Sequence, residues 1–182
     1  AVQGDTLAQN NFGLMYKNGE GVPQDYAEAA KWFLLAAEQG DALASFNLGV
    51  MHDHGEGVPQ DDAEAVKWLR LAAEQGDALA QNNFGLMYRN GEEVPQDYAE
   101  AAKLFLLAAE QGDALASFNL GLMHENGEGV PQDGAEAVRW YQVAAEQGDA
   151  SAQYNLGLMH DEGEGVPQDY AKAVMWYQLA AE

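Results

Sequence analysis

The chain repeats itself every 36 residues, and that period limits its fold more than any other property of the sequence. Gly-Glu-Gly-Val-Pro-Gln-Asp begins at Gly19, Gly55, Gly127 and Gly163, and Gly91 begins the same motif with Glu93 in place of its second glycine. Gln-Gly-Asp recurs at Gln3, Gln39, Gln75, Gln111 and Gln147. Five units, 4–39, 40–75, 76–111, 112–147 and 148–182, therefore fill the 182 residues and leave no room for a separate catalytic domain or linker. A fixed period of this length marks a solenoid, in which each unit buries its apolar faces only by stacking on its neighbours. Units one and three differ only at Thr6/Ala78, Lys17/Arg89, Gly21/Glu93 and Trp32/Leu104. The alternation points to duplication of a 72-residue pair, by recent evolution or by design. Neither end carries a distinctive capping unit, so the chain reads as an excerpt of a longer array.

Each unit reads as two antiparallel helices. Asp5 is placed to cap helix A, which runs over Leu7–Asn18 and ends at Gly19, a residue free to take positive φ. After a short turn Asp25 caps helix B, and Glu28 completes the spacing of a capping box. Asp61/Glu64, Asp97/Glu100 and Asp133/Glu136 repeat that pair, whereas Lys172 follows Asp169. On helix A, Ala8, Phe12, Met15 and Tyr16 form one face, expected to pack on Ala29, Ala30, Phe33, Ala36 and Ala37 of helix B. A glycine inside a helix weakens it, so Gly13 and its copies at 49, 85, 121 and 157 imply a close helix crossing. Val22 is expected to seal the turn. Glu93 is strained if the turn needs positive φ at that place and neutral if it does not; strain is the favoured expectation.

Thirty acidic residues against eight lysines and arginines give a net charge of -22. Such a chain is repelled by nucleic acid and anionic membranes and favours basic partners. With no cysteine, disulfides, thiol catalysis and cysteine metal sites are excluded. Compartment is left open. No apolar run reaches the length of a membrane helix, and no signal peptide opens the sequence.

The units resemble Sel1-like repeats, relatives of tetratricopeptide repeats. The likeness rests on Phe12-Gly13 with Tyr16 after it, the Gly-x-Gly-Val-x-x-Asp turn, and Ala29, Trp32 and Ala36-Ala37, and it covers all five units. It implies an all-α fold, a right-handed α/α superhelical solenoid of five helix-turn-helix repeats. It also implies a non-enzymatic adaptor or scaffold, a soluble protein of the bacterial cytoplasm or periplasm. Some secreted bacterial members carry a disulfide in each repeat, and this cysteine-free chain inherits little from them. The bulky helix B position is matched by Trp32, Trp68, Trp140 and Trp176 and broken by Leu104, and is expected to serve packing.

In such a superhelix the A helices line the concave face, where related modules take peptides. By helical phase, the partner-binding residues expected there are Asn10, Leu14 and Lys17; Phe46, Val50 and Asp53; Asn82, Leu86 and Arg89; Phe118, Leu122 and Glu125; and Tyr154, Leu158 and Asp161. Most differences between units fall in this column. Aromatic residues rimmed by polar groups suit capture of a peptide, basic or carrying an apolar anchor. The same aromatics are equally consistent with contacts that close adjacent A helices. Asn11, Asn47, Asn83, Asn119 and Asn155 form a separate column expected to bond to loop backbone between units.

Neither an enzyme nor a metal site is expected. His52, His124 and His160 share the phase of Tyr16 and Tyr88, which reads as a half-buried ring with a polar tip, too widely spaced to share zinc. The turn carboxylates recur in every unit, whereas acid–base catalysis needs one asymmetric pair. No nucleotide-binding glycine motif or calcium-binding loop is present, and no cofactor is implied. Two functions remain: a protein- or peptide-binding scaffold, and a passive spacer that stacks head to tail through uncapped ends.

Overall fold

A computed structural model describes residues 4–182 of the chain. Among these residues there are ten α-helices, two for each repeat. They are α1 (Thr6–Asn18), α2 (Tyr26–Ala37), α3 (Ala42–His54), α4 (Asp62–Glu74), α5 (Ala78–Asn90), α6 (Tyr98–Glu110), α7 (Ala114–Asn126), α8 (Gly134–Glu146), α9 (Ala150–Glu162) and α10 (Tyr170–Ala180). No helix among the described residues is long and apolar enough to cross a membrane. The backbone forms two compact units, one ending at Phe84 and one beginning at Gly85. Each is built from stacked helix–turn–helix repeats, an all-α solenoid architecture. In the first, α2 packs on both α1 and α3, and α3 on α4; in the second, α6 to α10 pack in the same serial order.

The boundaries follow from the capping residues. Asp5 Oδ1 accepts from the Ala8 amide at 2.8 Å, and Asp41, Asp113 and Asp149 cap α3, α7 and α9 in the same way. Gly19 stops α1 in the left-handed region at φ 74, and its amide bonds to the Met15 carbonyl. The helix B caps form as expected, with Asp25 accepting from the Glu28 amide. The reciprocal arm of the expected capping box does not form. The Asp25 amide donates instead to the Tyr16 carbonyl at 2.9 Å, and Asp61, Asp97, Asp133 and Asp169 donate to the matching carbonyls of their own helix A. Glu28 is thereby released to pair with Lys31, as Glu64, Glu100 and Glu136 pair with Lys67, Lys103 and Arg139. Lys172 therefore replaces a residue that had no capping partner to lose.

The turn is pinned by a residue whose role the sequence did not reveal. Gln24 Nε2 donates to the Lys17 carbonyl at 2.9 Å, and Gln96, Gln132 and Gln168 donate to the carbonyls of Arg89, Glu125 and Asp161. These bonds satisfy carbonyls that a helix end leaves free.

Packing corrects the expected use of the helix A faces. Gly13, Gly121 and Gly157 admit the ring from their own helix B: a Cβ at Gly13 would lie 2.6 Å from Phe33 Cε1, and one at Gly121 2.5 Å from Tyr141. The face equivalent to Ala8, Phe12 and Met15 is covered largely by the repeat before it. Ala44, Leu48 and Met51 of α3 close one core with Ala29, Ala30, Phe33, Ala36 and Ala37 of α2 and with Trp68, while Val58 packs at its edge. Ala152, Leu156 and Met159 do the same with α8, where Val166 seals the edge. Helix A thus meets two helix B neighbours, and only tertiary stacking divides its faces between them.

Candidate functional site

The residues expected to bind a partner divide by depth. Asn10 and Asn82 are 1% and 5% exposed and belong to the interior. Asn10 Oδ1 accepts from Asn47 Nδ2 of the next repeat at 3.3 Å, a buried side-chain pair that ties adjacent A helices. The loop-backbone role expected for Asn47 is therefore filled differently, and Asn155 likewise bonds to the Tyr141 hydroxyl of the preceding repeat. Amides suit this place because each carries donor and acceptor, so a buried pair can answer itself.

The remaining residues of the column reach the surface to different extents. Leu14, Val50, Leu86, Leu122 and Leu158 are half-buried, as are Phe46 and Phe118, whereas Tyr154 is 50% exposed. Phe118 leans on Tyr141 with ring centroids 5.7 Å apart, and Tyr154 on Tyr177 at 5.8 Å. One turn earlier on the same helices Leu7, Leu43, Leu79 and Leu115 stand in solvent, Leu115 to 55%. Leu43, Phe46 and Val50 therefore form one apolar stripe along α3, and Leu115, Phe118 and Leu122 another along α7.

Polar residues end these stripes. Asp53 is exposed, and Lys17, Asp161 and Arg89 are half-buried. Arg89 Nε donates to Glu128 at 3.0 Å. Glu125 accepts from the Tyr141 hydroxyl. Burial, followed by the Glu125 carboxylate, holds the Tyr141 phenol well above its ordinary range, so the phenol remains a donor. Arg89 and Glu125 thus already have partners inside the protein, and a ligand meeting them must share or exchange those bonds.

A second surface lies between helix B neighbours and was not anticipated. A groove of about 510 Å³ runs between α2 and α4 above Leu48 and His52, with Trp68 as a wall. A matching groove of about 350 Å³ lies between α6 and α8 above Leu120 and His124, beside Trp140. Trp68 Nε1 donates to Glu64 at 3.0 Å, which fixes that wall. The Nδ1 atoms of His52, His124 and His160 are buried without a hydrogen-bond partner. The alternation of histidine with tyrosine at this phase was the available signal for a ring under the groove. Among the described residues no three histidine, aspartate or glutamate side chains gather as a metal site.

The pairing of helices, the glycine under each helix B ring and the capped turns agree with a match that runs through the whole chain. The Sel1 repeat family model fits residues 6–41, 42–77, 78–113, 114–149 and 150–182. The chain belongs to the Sel1 repeat family. A Sel1-type structure from uropathogenic Escherichia coli, the protective antigen c5321, is 44% identical over 97% of this chain with a TM-score of 0.91. The chain spans 38% of that antigen. A Sel1 repeat protein from Oxalobacter formigenes is 40% identical over 97% of this chain and 73% of its own length, also with a TM-score of 0.91. No curated protein is significantly similar to the chain. The Sel1 architecture found here is that of a protein-interaction scaffold.

Proposed function

We propose that the chain is a non-enzymatic scaffold that captures a peptide or protein segment along its A helices. The observation that carries this reading is the pair of apolar stripes, Leu43–Phe46–Val50 and Leu115–Phe118–Leu122, left partly in solvent by helices whose other faces are buried. Apolar side chains at helical spacing give a ligand anchoring positions, and aromatic side chains carry a large share of interface energy. The net charge of -22 favours a basic ligand at long range and speeds its encounter. Asn10 and Asn82 take no part, because both are buried in the interior.

The test is a peptide selected on the intact chain from a displayed library, then titrated against a Phe46→Ala/Phe118→Ala/Tyr154→Ala variant. Binding is expected to fall by more than tenfold, about 1.4 kcal/mol or more, with helical circular dichroism retained. Loss of helicity in step with binding means that the rings serve the core. Unchanged affinity with retained helicity moves the site to the helix B grooves. Failure to select any peptide favours the passive spacer.

A further inference from the structure

We propose that the stripe on α3 selects a peptide segment carrying a lysine or arginine beside its apolar anchor, with Asp53 as the residue that reads the charge, whereas the α7 stripe lacks this selectivity because its own acid is drawn into the protein. The proposal rests on the A helices being the ligand face. Leu43, Phe46, Val50 and Asp53 follow one another at offsets of three, four and three, so the carboxylate ends the same face of α3 that carries the apolar side chains. Seven positions separate Phe46 from Asp53, about 10 Å along the helix axis. A polyproline-type ligand covers that distance in about three residues, one full turn, and a helical ligand in about seven. Leu43 is 39% exposed, Phe46 and Val50 are half-buried, and Asp53 stands in solvent. Among the described residues the Asp53 carboxylate meets only the imidazole of its neighbour His54, at 3.3 Å, and both side chains are more than half exposed. Asp53 also lies in the last turn of α3, where the helix dipole disfavours an acid, so helix stability does not explain it. An acid so placed is open to a cation from a ligand, and the net charge of -22 draws cations rather than anions to this surface.

The same face of α7 ends differently. Leu115, Phe118, Leu122 and Glu125 repeat the spacing, but Glu125 is half-buried and accepts from the Tyr141 hydroxyl of α8. The cause is one residue of helix B. Tyr141 lies under Gly121 as Leu69 lies under Gly49, and leucine has no hydroxyl to offer Asp53. Leu69 therefore leaves the acid of α3 free, and Tyr141 occupies that of α7. A carboxylate that must give up such a donor gains little from a ligand cation. Each stripe, with the helix B residue that governs its acid, lies within one of the two compact units.

The test begins with a random peptide library displayed on phage and selected on the intact chain. Each recovered peptide is paired with a synthetic copy in which the basic residue nearest the apolar anchor is replaced by glutamine. A net charge of -22 favours any cation, so the loss on replacement is measured on the intact chain and on Asp53→Asn, and only the difference belongs to Asp53. The loss is expected to be about three- to fivefold greater on the intact chain, the range of an exposed ion pair. Adding Tyr141→Phe to Asp53→Asn frees Glu125 and is expected to restore a preference for the basic peptide of about the same size. Phe33 and Phe105 show that a phenyl ring fits that place. Recovered peptides without a basic residue, or equal losses on the two chains, overturn the role of Asp53 and leave the scaffold reading standing. A preference that Tyr141→Phe does not restore overturns the account of α7. If no peptide is recovered at all, this proposal and the scaffold reading fall together.

Discussion

Glu93 carries the one positive φ outside glycine among the described residues, at 60°. Its equivalents Gly21, Gly57, Gly129 and Gly165 occupy the same region without penalty. The strain expected from sequence is therefore present. Glu93→Gly should raise unfolding free energy by about 1 kcal/mol, read as a higher midpoint in urea. The converse change is harsher. An alanine at Gly129 places its Cβ 2.3 Å from the Tyr98 backbone, in a segment with no flexible side chain to yield. Gly129→Ala should cost roughly 3 kcal/mol, and a loss below that of Gly148→Ala, where no atom lies near the added Cβ, would contradict this account.

At the scale of the helix, the caps and the paired phenol set the terms. Asp97 caps α6 by accepting from the Glu100 amide at 3.0 Å, and Asp97→Ala should cost about 1 kcal/mol in thermal or chemical unfolding. Glu100→Ala should cost much less, since Glu100 pairs with exposed Lys103 and the Asp97 amide goes to the Tyr88 carbonyl rather than to a capping box. A reversed order of these two losses would restore the reciprocal cap. Tyr141 joins α8 to α7 through Glu125, and burial raises its ionisation range. The unfolded phenol ionises near about pH 10, below the folded value, so above that pH the unfolded state holds fewer protons and stability falls as pH rises. Stability from this group is complete below pH 10. Tyr141→Phe should remove that alkaline loss, and Phe33 and Phe105 already show that a phenyl ring fits the position. An alkaline unfolding profile unchanged by the substitution would assign the loss to other groups.

Over the whole molecule, net charge outweighs the visible ion pairs. Four of the lysine or arginine pairs to glutamate are exposed contacts three residues apart on one helix, each worth a few tenths of a kcal/mol. The repulsion within a chain of charge -22 is longer in range and is screened by salt. Added sodium chloride should therefore raise the melting temperature at neutral pH. A fall would mean that the Lys–Glu pairs dominate.

The period, the caps and the crossing glycines were legible because each depends on local chemistry. Asp25 answers amides within its own first turn, Gly19 needs only its own φ, and the alternation of apolar residues marks which faces are buried. That local information determined an all-α chain of five helix pairs. Partner choice over longer distance was decided by tertiary structure. Only stacking placed Met51 against the preceding helix B, while the closing of each helix pair on its own turn gave the Asp25 amide to Tyr16 and left Glu28 for Lys31. It also buried Asn10 against Asn47 while the equivalent Phe46 stayed half exposed. A residue's helical phase states which way it points, but burial depends on whether another repeat lies there.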